Sequence, residues 1–116
     1  MEKTEFYRHA RADLPGPLSG VRALEATTTW AGPMCGAVLA DFGADVIKVE
    51  IPSGDISRSV LPNLPGTEVS AMHATVNRNK RSLSLDVRTE RGRDIFLELG
   101  ARSDIVVENF KVGTMA

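Results

Sequence analysis

The chain has 116 residues, the length of one domain and enough to bury a hydrophobic core. It is 42% hydrophobic and 25% charged, an ordinary globular composition. Fourteen Lys+Arg against fifteen Asp+Glu leave a net charge of −1, so no global field draws it to nucleic acid or to an anionic membrane.

Residues 1–17 read as a polar lead-in closed by Pro15-Gly16-Pro17, without the apolar core of a signal peptide. No apolar run approaches the ~20 residues of a membrane helix, so the expected compartment is the cytoplasm. A first strand is predicted over 21–26, with Val21, Ala23 and Leu24 inward. The stretch 27–32 is a loop, and Pro33 suits the first position of a helix over 33–42, because it lacks the N–H that would be unpaired there. Met34, Val38, Leu39 and Phe42 have the spacing of one apolar face. The single cysteine, Cys35, excludes an internal disulfide and is expected to pack as a small apolar group.

A second strand over 44–50 has an apolar centre suited to a sheet covered on both sides. The loop over 51–66 carries three prolines and two glycines, a length that is usually functional or mobile. A short helix over 68–75 follows, with Val69, Met72 and Val76 on one side. Arg78, Lys80 and Arg81 read as a solvated basic turn before a third strand over 82–86. Thr89 can cap a helix over 90–101, whose Gly92, Ile95, Phe96 and Leu99 face the sheet. Glu98 and Arg102 form an i,i+4 pair, and 104–108 is a fourth strand. Strands alternating with helices give an α/β fold: a Rossmann-like, mainly parallel sheet of about four strands with flanking helices.

In such a sheet ligands lie beyond the carboxyl ends of the strands. Four segments converge there: 27–32, 50–58, 86–89 and 109–113. The first leads into a helix N-terminus, suited to an anion. Asp86, Arg88, Asn109, Phe110 and Lys111 add donors, two cations and an aromatic face, the mixture a phosphorylated nucleotide needs. Each has a structural alternative: Asp86 can cap the next turn, Asn109 can serve local backbone, and Trp30 can be a packing lid. Ser57, Ser59 and Ser70 lack a nucleophile elbow, and Asp41, Asp45, Asp94 and Asp104 read as surface or capping residues. His9 and His73 have no metal-ligand spacing, so no metal and no catalytic residue is expected. A nicotinamide site would use Glu50 as its ribose acid, but the turn ATTTWAGPMCG lacks G-x-G-x-x-G.

Several blocks carry a resemblance: Pro17-Leu18-Ser19-Gly20-Val21, Ala31-Gly32-Pro33, the run LADFGADVIKVE over 39–50, Asn77-Arg78-Asn79-Lys80-Arg81-Ser82, Leu85-Asp86 and Val106-Val107-Glu108-Asn109-Phe110. In this order and spacing the chain, over about 17–115, resembles the N-terminal part of the class III coenzyme A transferases. That family contains formyl-CoA transferase, carnitine CoA-transferase and α-methylacyl-CoA racemase. The resemblance implies a Rossmann-like large domain with a small second domain, and homodimers interlocked like links of a chain. It also implies transfer of CoA between carboxylic acids through an aspartyl mixed anhydride, with acyl-CoA and a carboxylic acid as partners. Coenzyme A would touch Thr29, Trp30 and Ala31 after the first strand, Leu85, Asp86, Val87 and Arg88 after the third, and Asn109, Phe110 and Lys111 after the fourth. Two departures stand out. Ile51 replaces the basic residue that often follows the second strand, leaving Arg58 or Arg88 to take a 3′-phosphate. The family's aspartate lies downstream of Ala116, so 18–116 is expected to be a truncated CoA-binding segment, inactive alone. An acyl-CoA racemase fragment and a non-catalytic interaction remnant are the alternatives.

Overall fold

The computed structural model of the chain describes residues 14–115, so the expected lead-in lies outside the described residues up to residue 13. Strand β1, Arg22–Ala26, buries Ala23, Leu24, Glu25 and Ala26, because helices cover both faces of the sheet at its centre. Helix α1, Ala31–Asp41, starts two residues before the expected Pro33. Pro33 is still tolerated, since the N–H groups of a first turn have no intrahelical partner. Strand β2, Asp45–Glu50, follows the left-handed Gly43, and the long loop after it contains a 3-10 turn, Ile56–Ser59. Helix α2, Ala71–Val76, is shorter than expected and begins where Ser70 accepts the His73 N–H. Strand β3 is Arg81–Ser84. Helix α3, Glu90–Ala101, has the expected bounds, with Thr89 Oγ1 accepting the Gly92 N–H at 3.0 Å. Strand β4 is Ile105–Glu108.

The four strands are parallel in the order β3-β2-β1-β4, with Glu25 beside Lys48 and Ala26 beside Glu108. The first two crossovers step one way from β1, and the third passes back across the sheet to its other side. Right-handed crossovers then put α1 and α2 on one face and α3 on the other. Alternation along β1 agrees: Gly36 of α1 lies against Glu25, and Gly100 of α3 lies against Leu24.

The core on the α1 side is Ala23, Ala40, Ala44 and Val46, flanked by Leu18, Val21, Leu39 and Ile105. Helix α1 therefore does not present the stripe its periodicity predicts. It buries Gly32, Pro33, Gly36, Ala37 and Ala40, while Val38 and Phe42 stay exposed. Small residues are required there because charged side chains fill the gap beneath the helix. Cys35, expected to be packed, is exposed as well. Of the apolar side expected for α2, Val76 is buried but Val69 is exposed and precedes the helix.

Candidate functional site

A cleft of about 780 Å³ lies along the carboxyl ends of the strands and continues over α3. That falls within the roughly 300–1,000 Å³ of small-molecule sites. Its walls are mainly apolar: Ala26 from β1, Val49 and Ile51 from the end of β2, Leu85 and Val87 after β3, Phe96 and Leu97 from α3, then Phe110 and Met115 after β4. Its polar groups are Thr27, Thr28, Glu50, Asp55, Arg88, Arg93 and Thr114. Strand order reverses between β1 and β4, where such sheets open a crevice.

The residues expected at the site divide into two groups. Leu85, Val87, Arg88 and Phe110 line the cleft, whereas Thr29, Trp30, Ala31, Asp86, Asn109 and Lys111 are not among its walls. Asn109 ties the crevice together instead: its Oδ1 accepts the Thr28 N–H at 2.9 Å and its Nδ2 donates to Thr28 O at 3.0 Å. Asp86 forks onto Arg88, with Nε to Oδ1 at 2.8 Å and Nη2 to Oδ2 at 2.9 Å. The Arg88 guanidinium holds the Asp86 carboxyl below its ordinary range, and Asp86 raises Arg88 in return. Both are surface groups, so that fork is open to a competing anion. Trp30 sits at the start of α1, 49% exposed, and closes no core. Arg58, named for a 3′-phosphate, is engaged by Glu50 through Nε at 2.8 Å and Nη2 at 2.9 Å. Arg93 lines the cleft without an ion-pair partner among the described residues; it lies on a helix that no strand-end argument could include.

Behind the cleft lies a cluster that was not foreseen. The Glu25 side chain is 0% exposed, with Thr27 Oγ1 donating to Oε1 at 2.7 Å and Lys48 Nζ at 3.2 Å. Its Oε2 meets Lys80 Nζ at 2.6 Å, an ion contact rather than a directed hydrogen bond. Lys80 is therefore no part of a solvated turn. Its ammonium is buried and donates to Pro33 O at 2.7 Å, Val76 O at 2.8 Å and Asn77 Oδ1 at 3.2 Å. Burial pulls its pKa down, and Glu25 only partly restores it. Arg78 and Arg81 do stay outside, paired with Asp41 and Asp45.

Asp55 extends the cluster toward the rim, with Oδ2 3.3 Å from Lys48 Nζ. Burial pushes its carboxyl up, but the Ser57 and Thr29 N–H donors, with Lys48, bring it below the ordinary range. Glu50 is likewise raised by burial and lowered further by Arg58 and the Asp55 N–H. Ser57, fully buried, lies 2.8 Å from His73 Nδ1. The two side chains hydrogen-bond inside the fold, and Ser57 is not among the walls of the cleft.

The family model for CoA-transferase family III matches residues 18–116. The succinyl-CoA:mesaconate CoA-transferase of Haloarcula hispanica is 50% identical over 103 residues, covering 86% of this chain and 26% of that protein. The formyl-CoA:oxalate CoA-transferase of Streptomyces avermitilis is 46% identical over 99 residues, covering 84% and 24%. A crystal structure of a CAIB/BAIF family protein from Brucella suis superposes with a TM-score of 0.81 at 43% identity, covering 88% of this chain and 28% of that one. The chain thus spans about a quarter of the length of the curated relatives it matches.

Proposed function

The chain belongs to CoA-transferase family III, and on that premise we propose that residues 18–116 supply the coenzyme A site of an enzyme moving CoA between carboxylic acids. The cleft carries this reading: an apolar trough over the strand ends, with Arg88 and Arg93 beside it. A thioester on a pantetheine arm suits the trough, and phosphates suit the guanidinium groups. The β1–α1 loop at Thr29 and Trp30 with the first residue of α1, Ala31, the segment Leu85, Asp86, Val87 and Arg88, and Asn109, Phe110 and Lys111 would border the same ligand.

Relatives named for succinyl-CoA with mesaconate, and for formyl-CoA with oxalate, support an acyl-CoA donor and a carboxylic acid acceptor. The chemistry would pass through an aspartyl mixed anhydride, and no residue of this chain is assigned that aspartate. The 116-residue chain is therefore expected to bind CoA without transferring it. An interlocked homodimer in the cytoplasm completes the proposal.

Isothermal titration with CoA and with dephospho-CoA, beside an acyl-transfer assay, tests this. Arg93→Ala is expected to weaken CoA binding by about ten- to a hundredfold, as for a charge-assisted contact. Arg88→Ala is expected to act in the same direction but less strongly, because Asp86 competes for that guanidinium. A folded chain that binds neither compound would refute the reading.

A further inference from the structure

The β1–α1 loop is held by a carboxylate that comes from a different loop. Thr29 sits at φ 72°, a left-handed conformation that a β-branched residue adopts only when its surroundings impose it. Its N–H is shared between the two oxygens of Asp55, at 3.1 and 3.2 Å. Oδ1 also accepts the Ser57 N–H at 2.8 Å. The Asp55 N–H donates to Glu50 Oε2 at 3.0 Å, and Arg58 anchors that glutamate from the other side. The Asp55 side chain is 1% exposed. The Ser57 bond serves the local turn, but the Thr29 and Lys48 contacts reach two other parts of the chain. A carboxylate this buried and this fully subscribed determines the position of whatever it binds.

We infer that Asp55 is a positioning residue of the acyl-CoA site: neutralised by Lys48, it fixes the β1–α1 loop in the shape that presents Thr29, Trp30 and Ala31 to the ligand. The inference rests on the functional reading of the cleft given above. Asp55 acts through Thr29, and a loop ordered before the ligand arrives loses less conformational entropy on binding. The same contact has a consequence for ligand orientation. Asp55 already occupies the Thr29 N–H, so that one donor is closed to a phosphate, while Arg88 and Arg93 stand beside the cleft.

The test combines amide hydrogen exchange on the unliganded 116-residue chain with CoA titrations of wild type, Asp55→Asn, Thr29→Gly and the double variant. The Thr29 amide is expected to exchange about tenfold or more slowly than that of Trp30, although both residues are exposed. Asp55→Asn keeps one acceptor oxygen but sets an amide NH2 against the Lys48 ammonium, so it is expected to reduce that protection and raise the CoA Kd about tenfold. Thr29→Gly, which takes the left-handed shape freely, is expected to recover roughly threefold of that loss in the Asp55→Asn background. A purely structural role for Asp55 would show no such rescue. An unprotected Thr29 amide in wild type overturns the inference even if Asp55→Asn fails to fold. An unchanged affinity in Asp55→Asn, or a loss that Thr29→Gly leaves untouched, overturns it too. Protection at Thr29 with no CoA binding by wild type would instead sink the functional reading, leaving Asp55 as a loop anchor without this ligand.

Discussion

A methyl group added at Gly36 would land on the Glu25 carboxylate. That carboxylate has little freedom to move, because Thr27, Lys48 and Lys80 hold it at 2.7, 3.2 and 2.6 Å. Gly36→Ala is therefore expected to cost about 1–3 kcal/mol, the range for overpacking, by urea unfolding. Gly100→Ala is the control: its methyl would meet only Leu24 Cδ2 at 3.9 Å, and better helix propensity should make it neutral or stabilising by up to ~1 kcal/mol. Equal stabilities for the two variants would mean that the cluster beneath α1 is loose. Part of this unforeseen cluster carries a signal in the sequence. Glu25 and Lys48 stand between apolar neighbours in strands covered on both faces, where a lone charge needs a partner. The partner was not legible. Within Arg78-Asn79-Lys80-Arg81 three cations look equivalent, and only tertiary packing turns Lys80 inward while its neighbours meet Asp41 and Asp45.

The elements differ in how much of their own structure they encode. Helix α3 carries a local code, Thr89 as cap and Glu90 in the first turn, and it forms with the expected bounds. Helix α1 has an unambiguous period but turns a different face inward, because the buried ions admit only small residues there. The segment from Glu50 to Val76 depends most on its tertiary contacts, and its titratable groups make that dependence measurable. Burial, then Arg58, depresses the His73 pKa, and its Nδ1 lies 2.8 Å from Ser57 Oγ. The unfolded chain binds a proton at this histidine before the folded chain does, so stability falls as pH drops through ~6.5. Asp55 and Glu50 are also depressed, so their contribution is complete above the ordinary carboxylate range and is lost as pH falls from ~4 toward their lower folded values. All three effects have the same sign. Urea midpoints measured from pH 8 to about 2.5 are expected to fall monotonically. The upper part of the fall should be missing in His73→Gln, and the lower part blunted in Asp55→Asn. A midpoint constant down to pH 5 would mean that the folded chain holds His73 charged.

At the scale of the whole molecule, the parallel sheet gathers the strand ends on one rim, and alternation of strands and helices was enough to anticipate that. It could not reveal that α3 would wall the cleft, since this follows from the return crossover to β4, a property of strand order rather than of any segment. The wall matters because it makes the site largely apolar. Phe96 and Leu97 of α3 face Leu85, Val87 and Phe110 across a space far larger than a phosphate needs. If the thioester end lies in this trough, affinity should rise along acetyl-, butyryl- and hexanoyl-CoA, by up to ~0.8 kcal/mol for each methylene fully buried. Thermal shift reads the same quantity, because a ligand held at a hundred times its Kd stabilises the folded chain by about 2.7 kcal/mol. The expected series has each acyl-CoA raising Tm further than the last at equal concentration. A flat series, with free CoA as effective as hexanoyl-CoA, would put the acyl chain in solvent and give the apolar wall to pantetheine or adenine instead.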